Sequence, residues 1–307
     1  METASENQKV ELAVLEEYGI SLYLKREDQI HPLISGNKYR KLKYNLKKAK
    51  EDNHRTLLTF GGAYSNHISA VAYAGKKFGF QTIGVIRGEE LKDKFSEILK
   101  TNPTLNLAAE HGMKFEFVSR YNYRLKDTSN FLKELREKFE EFYLIPEGGT
   151  NDLAIKGCEE ILQPGDEIFD IICLSVGTGG TISGIINSAD KDQFVFGFPA
   201  LKGDFLEEEI KKLIRPSSNW KLIKDYHFGG YAKVNEELVN FINNFKFETS
   251  IALDPIYTGK MMFGIIDLVK RGRFARGTKI LAIHTGGLQG IKGMNIMLKH
   301  KKLPIIQ

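Results

Sequence analysis

The sequence predicts an α/β protein whose sheets are mostly parallel and covered by helices. Two observations carry this prediction. Short apolar runs alternate with charged stretches at helical spacing along most of the 307 residues, the signature of successive strand–helix units. Glycine-rich turns fall at the ends of the strand-like runs, where open α/β sheets bind ligands. The length suits one large or two smaller α/β domains.

Residues 22–25 read as a short strand and residues 38–52 as a charged helix with apolar residues near helical spacing. Residues 56–60 form the next strand and enter a turn at Gly61-Gly62, and a helix rich in small residues follows over 66–78. Strands over 81–86, 114–118 and 143–146 come next, the last ending at Gly148-Gly149. Residues 168–176 are a continuous apolar run, as a strand buried on both faces requires. A helix follows over 181–188, and 194–198 and 279–284 are further buried strands. No solenoid repeat and no linker interrupts the pattern.

Hydrophobic residues make up 42% and charged residues 27% of the chain, with a net charge of +5. That is ordinary for a globular protein with an ample core. Lys43, Lys47, Lys48 and Lys50 fall in a charge-mixed, helix-like stretch. They form no basic tail or RNA-binding motif, so no nucleic-acid partner is expected. A mild positive field suits small anionic ligands. The opening METASENQKVELAVLEEYGI lacks a basic segment followed by an apolar one, so no secretory leader is expected. No apolar run approaches the roughly 18 residues of a membrane span, so no membrane partner is expected. Cys158 and Cys173 form neither a CxxC pair nor a cluster with histidine. No metal site is expected, and a reducing, cytoplasmic location fits.

Three motifs could carry chemistry. In Ser175-Val176-Gly177-Thr178-Gly179-Gly180-Thr181-Ile182-Ser183-Gly184, a buried strand turns into a helix. Glycines let successive N–H groups turn inward, and the helix start adds a positive dipole end, so a phosphate is the natural ligand. Thr178 and Thr181 add hydroxyls. A tight turn without a ligand has the same pattern. A dinucleotide site would want an acidic ribose partner about 20 residues on; Asp190 and Asp192 come too early, and residues 194–199 carry no acid.

In Ser35-Gly36-Asn37-Lys38-Tyr39-Arg40-Lys41-Leu42, three of eight residues are basic at a loop-to-helix junction. A solvated helix start would look the same. A lysine nucleophile needs partial desolvation or neighbouring cations to lose its proton. Arg40 and Lys41 are the neighbours, and Lys41, one turn beyond Lys38, can also reach a phosphate. In Thr59-Phe60-Gly61-Gly62-Ala63-Tyr64-Ser65-Asn66-His67, a strand and glycine turn lead to a helix opening with Ser and Asn. That start suits a carboxylate, although simple N-capping needs the same residues. His67 is a tempting base, yet a histidine on an early turn is more often structural.

Taken in order, Gly36-Asn37-Lys38-x-Arg40-Lys41, Gly61-Gly62-x-x-Ser65-Asn66-His67 and Gly177-Thr178-Gly179-Gly180-Thr181 resemble the fold-type II pyridoxal phosphate (PLP) enzymes. More narrowly, they are similar to the family of D-cysteine desulfhydrase and 1-aminocyclopropane-1-carboxylate (ACC) deaminase. Leu24-Lys25-Arg26-Glu27-Asp28, Pro146-Glu147-Gly148-Gly149 and Asp254-Pro255-x-Tyr257-Thr258-Gly259-Lys260 belong to the same pattern, which spans nearly the whole chain. The resemblance implies two three-layer α/β domains with the cofactor between them, residues 1–49 plus 149–307 forming the larger and 50–148 the smaller, and a homodimer. It implies Lys38 as the Schiff-base lysine, and Asn66 on the phenolic oxygen of PLP. Ser65, Asn66 and His67 would meet the substrate carboxylate, with Ser65 also a proton carrier. Gly177, Thr178, Gly179, Gly180 and Thr181 would hold the phosphate with help from Lys41. Tyr257 would be the active-site tyrosine, and Tyr231, 26 positions earlier, the second one.

Two positions separate the branches of that family. ACC deaminases carry Glu directly after the tyrosine and Leu before the later glycine pair. Here stand Thr258 and, in His284-Thr285-Gly286-Gly287, Thr285, as in the desulfhydrases. A glutamate favours a protonated pyridine and a stronger electron sink, whereas a neutral hydroxyl does not. Thiol elimination tolerates the weaker sink. The reading is therefore a PLP-dependent lyase acting on a small amino acid, D-cysteine foremost, yielding pyruvate, ammonia and hydrogen sulfide. ACC deaminase, or another amino-acid deaminase, is the alternative within the class. A non-catalytic phosphate-ligand binding protein is the alternative outside it.

Overall fold

The computed structural model describes residues 4–31, 34 and 36–307. Ser35, at the head of the lysine motif, lies outside them. Among the described residues ten strands form two sheets. They are β1 (Asn7–Val10), β2 (Ser21–Lys25), β3 (Thr56–Gly62), β4 (Gln81–Arg87), β5 (Lys114–Val118), β6 (Tyr143–Ile145), β7 (Ile171–Val176), β8 (Phe194–Pro199), β9 (Trp220–Leu222) and β10 (Lys279–Ile283). The larger sheet runs β1-β2-β10-β7-β8-β9 and the smaller β5-β4-β3-β6. Among the described residues only β1 pairs antiparallel, with Val10 opposite Leu22.

Alternation along the central strands explains the layers. Ile280 and Ala282 face one apolar cluster with Met261, Ile265 and Leu238, while Leu281 and Ile283 face another with Ile182 and Ile185. A period of two thus buries both faces of the sheet under helices. The smaller sheet does the same. Leu57 and Ile86 pack with Val71 and Leu105, and Leu58, Phe60 and Val85 with Phe131 and Leu135. Each fully buried Leu, Ile or Val stabilises the fold by roughly 1.5–3 kcal/mol relative to exposure. The α/β class and the parallel sheets are as the sequence indicates.

Three local differences have physical causes. The strand expected over 168–176 begins at Ile171. Residues 166–168 form a short 3-10 turn, drawn in by the buried Asp166, which pairs with Lys25 at 2.8 Å. The strand expected to stop before Gly61 runs through Gly62, in register with Arg87. A Cβ on Gly61 would lie 2.5 Å from Ile68 Cγ1 and 2.9 Å from Ser65 Cβ, so the bare backbone lets the next helix close over the strand. The helix Asn37–Glu51 begins beside the larger sheet, yet its Leu42, Leu46 and Ala49 pack in the smaller sheet's core.

Candidate active site

The chain delivers its chemistry from the carboxyl ends of parallel strands. Lys38 stands in the first turn of the helix Asn37–Glu51. That turn is fixed by Gly36, at φ 62°. A Cβ there would lie 1.8 Å from the Thr285 carbonyl oxygen, so only glycine fits. The Gly36 N–H donates to Glu27 O at 2.9 Å and that of Asn37 to Thr285 O at 3.3 Å. Arg40 reaches away from the site, donating to the Glu27 carboxylate from Nε (2.9 Å) and Nη2 (2.7 Å). Ser5 supports the same carboxylate at 2.7 Å. This corrects one expectation: Arg40 does not help to deprotonate Lys38.

Burial and then the Lys41 ammonium lower the Lys38 amine from 10.5 to about 7. Its Nζ lies 3.5 Å from Gly148 O. Lys41, 2% exposed, donates to Gly148 O at 3.0 Å and to Thr150 Oγ1 at 3.1 Å. Thr150 in turn shares a 2.7 Å hydrogen bond with Thr178. Asn37 Nδ2 donates to Thr181 Oγ1 at 2.9 Å. The loop after β6 and the loop after β7 are therefore laced together around one lysine. Glycines permit the approach: a Cβ on Gly180 would meet Thr150 Oγ1 at 2.7 Å and Lys41 Nζ at 3.2 Å. Among the described residues no side chain caps the helix Gly180–Ser188, and Gly179 turns at φ 87°. Its first N–H groups stay open to an anion.

Ser65 is the N-cap of the helix Asn66–Phe78, but its hydroxyl makes no capping bond. Simple capping is thus not what that serine does. Asn66 Oδ1 is buried and without a hydrogen-bond partner among the described residues. The His67 ring packs away from that helix start. Thr59 donates to Ile145 O at 2.8 Å, so it accepts from His67 Nε2 at 2.8 Å. Burial, Lys38 and Lys41 hold His67 well below the ordinary histidine range, so it is neutral. Its Nε2 is committed to Thr59, while its Nδ1 is buried and without a hydrogen-bond partner among the described residues.

Tyr257 precedes the helix Thr258–Lys270, and a Cβ on Gly177 would lie 3.3 Å from its ring. Its ring meets that of Tyr231 edge-on, with centroids 6.2 Å apart. Burial, followed by Tyr231, pushes the Tyr257 phenol well above its usual value. Asp254 holds this helix start. One carboxylate oxygen accepts from Ile256 N and Tyr257 N (2.9 and 3.0 Å), the other from Thr258 N and Thr258 Oγ1 (both 2.8 Å). Thr258 Oγ1 also accepts from Asp254 N at 2.9 Å. A carboxylate can only accept, so the one hydroxyl proton of Thr258 is committed to Asp254. Thr285 lies 3.4 Å from Ser175, hydroxyl to hydroxyl.

Lys38, Lys41, His67, Tyr257 and the 177–181 loop are thus brought together, and Thr285 joins through Gly36. Thr150, Thr59 and Asp254 took no part in the sequence argument as site residues. Thr150 had a signal, a hydroxyl directly after Gly148-Gly149; Thr59 had none beyond lying in the motif. The set fits PLP. The uncapped glycine cup suits a phosphate, and the Lys38 amine, lowered to about 7, suits an aldehyde. The Asn66 amide has an unmatched carbonyl oxygen, which would accept from a donor on a bound ligand.

Residues 5–286 match the family described as pyridoxal-phosphate dependent enzyme. A Pyrococcus furiosus protein provisionally named an ACC deaminase is 32% identical over 295 residues, 89% of this chain and 86% of that protein. The Arabidopsis thaliana mitochondrial bifunctional D-cysteine desulfhydrase/ACC deaminase is 31% identical over 302 residues, 89% of this chain and 74% of that protein. The crystal structure of an ACC deaminase homologue superposes with a TM-score of 0.82 at 29% identity, covering 97% of this chain and 94% of the other.

Proposed function

Because this chain belongs to the pyridoxal-phosphate dependent enzymes, in the family of the ACC deaminases and D-cysteine desulfhydrases, we propose that it eliminates the thiol of D-cysteine. Water and D-cysteine give pyruvate, ammonia and hydrogen sulfide. Bound PLP supplies the electron sink for the charge left at Cα. The protein supplies the rest. Lys41 and the 177–181 loop hold the phosphate. The start of the helix Asn66–Phe78, with Ser65 and Asn66, holds the substrate carboxylate through its open N–H groups. His67 contributes there by its backbone. Lys38, with its amine lowered to about 7, takes the Cα proton. Tyr257, kept protonated, gives a proton to the departing sulfur, with Tyr231 at its edge.

Thr258 is the observation that carries the choice of substrate. The position after Tyr257 offers a hydroxyl whose proton is committed to Asp254, not a carboxylate that would hold a pyridine protonated. The weaker sink suffices for a thiolate leaving group and poorly serves opening of a cyclopropane. The names of the relatives favour the second reading, ACC deamination to 2-oxobutanoate and ammonia. The purified protein loaded with PLP is tested with D-cysteine, L-cysteine, ACC and D-serine for sulfide and keto-acid release. Sulfide from D-cysteine is expected; 2-oxobutanoate from ACC with none from D-cysteine overturns the reading. Loss of the visible PLP absorbance in Lys38→Ala, but not in the wild type, separates this enzyme from a mere phosphate-ligand binder. On the same family grounds the protein works as a homodimer, with residues 50–148 as a smaller domain inside 1–49 plus 149–307; a cytoplasmic location rests on its two free, buried cysteines, which suit a reducing compartment.

A further inference from the structure

Lys260 is buried in the helix Thr258–Lys270, 2% exposed, and has no part in the chemistry above. Its Nζ donates to two backbone carbonyls, His227 O and Gly230 O, both at 2.8 Å. Those carbonyls belong to the loop that presents Tyr231. The loop is wound unusually tightly. Phe228 (φ 53°), Gly229 (92°), Gly230 (114°) and Ala232 (55°) all lie in the left-handed region, two of them with side chains that disfavour it. Tyr231 itself is 45% exposed, so packing alone does little to hold its ring.

We infer that Lys260 is a positioning residue that holds Tyr231 against Tyr257 by pinning the 227–230 turn to the helix that Tyr257 begins. The geometry gives one helix both jobs. Asp254 fixes Tyr257 at its start, and one turn later Lys260 fixes the loop of the partner tyrosine. A point cation meets two converging carbonyls well, because an ammonium has three rotatable donors and no shape requirement. Backbone anchoring then supports both the ring contact at 6.2 Å and the hydrogen bond between the Tyr231 and Tyr257 phenols.

The role of the tyrosine pair in turnover rests on the function proposed above, so the test has two arms. In the first, amide hydrogen exchange of the PLP-loaded protein is followed over residues 227–234. The N–H groups of Gly230 and Lys233, bonded to His227 O and Gly230 O, should exchange roughly tenfold faster or more in Lys260→Met, an isosteric loss of charge, and less so in Lys260→Gln, which keeps a donor. Unchanged protection in both variants overturns the inference. In the second arm, Cα-proton exchange and sulfide release from D-cysteine are measured in a double-mutant cycle with Tyr231→Phe. Lys260→Met should lower kcat on the order of 10- to 100-fold with KM little changed, and should add almost nothing in the Tyr231→Phe background. Losses that multiply mean that Lys260 acts other than through Tyr231. If the loaded wild type exchanges no Cα proton, the proposed function fails, and the first arm alone decides the anchoring.

Discussion

Lys41 lies one helical turn beyond Lys38 and, after burial, is the main influence that brings the Lys38 amine to about 7. The same Lys41 ammonium bonds Gly148 O and Thr150, so one buried cation both tunes the Lys38 amine and ties down the loop after β6.

A pH dependence follows. Only the neutral amine attacks an aldehyde, and its fraction rises with pH until the pKa is passed. Capture of pyridoxal by the apoprotein, read by visible absorbance in rapid mixing, should therefore rise with a midpoint near pH 7 and level off above it. An ordinary lysine would keep climbing towards 10.5. In Lys41→Gln the midpoint moves up, because the like charge is gone. Pyridoxal is the right probe, since it has no phosphate and does not report the loss of Lys41 from the cup.

Gly36→Ala should be far more damaging than an alanine at an ordinary helix start. The new Cβ would collide with Thr285 O, and φ 62° disfavours it independently. A loss of at least roughly 1–3 kcal/mol is expected, read by thermal unfolding, together with weakened PLP retention because Lys38 is two residues away.

Removing the carboxylate partner of a buried guanidinium is costly. Glu27→Ala should lower stability by about 3–5 kcal/mol in denaturant unfolding. The paired replacement Glu27→Leu with Arg40→Met should recover most of that loss, because it leaves no unpaired charge in place of the bidentate pair.

Thr258→Ser should preserve the Tyr257 helix start, and Thr258→Val should not. Valine keeps the volume but deprives Asp254 N of its acceptor and Asp254 Oδ1 of a donor. A cost of roughly 1–3 kcal/mol for the unmatched buried groups is expected. The tyrosine absorbance titration should shift as Tyr257 loosens.

The sequence disclosed those parts of the fold and site whose cause is local. Gly177–Thr181 and Lys38 stand out because glycines and basic residues at strand ends have few other uses, and β7 and β10 are legible from continuous apolar runs. Pairings between distant residues leave no such trace. Nothing near Arg40 in the chain announces that Glu27 claims it, nothing around Thr59 that it orients His67, and nothing in the helix Thr258–Lys270 that Lys260 serves a loop some 30 residues back. The edge strands β1 and β9 are illegible for another reason: NQKV and WKL carry polar residues and no apolar run, whereas the equally short edge strand β6 is an apolar YLI.

The lacing of the two glycine loops has a consequence for how the protein acquires its site. Asn37 meets Thr181 across 144 positions, and Lys41 meets Gly148 across 107. Contacts of such sequence separation close late, because large chain loops must be ordered before any of them forms. Cofactor capture on refolding should thus be the last event, arriving after helical signal and core fluorescence have returned. Appearance of the visible PLP band is then a clock for completion of the whole chain and not for either sheet alone.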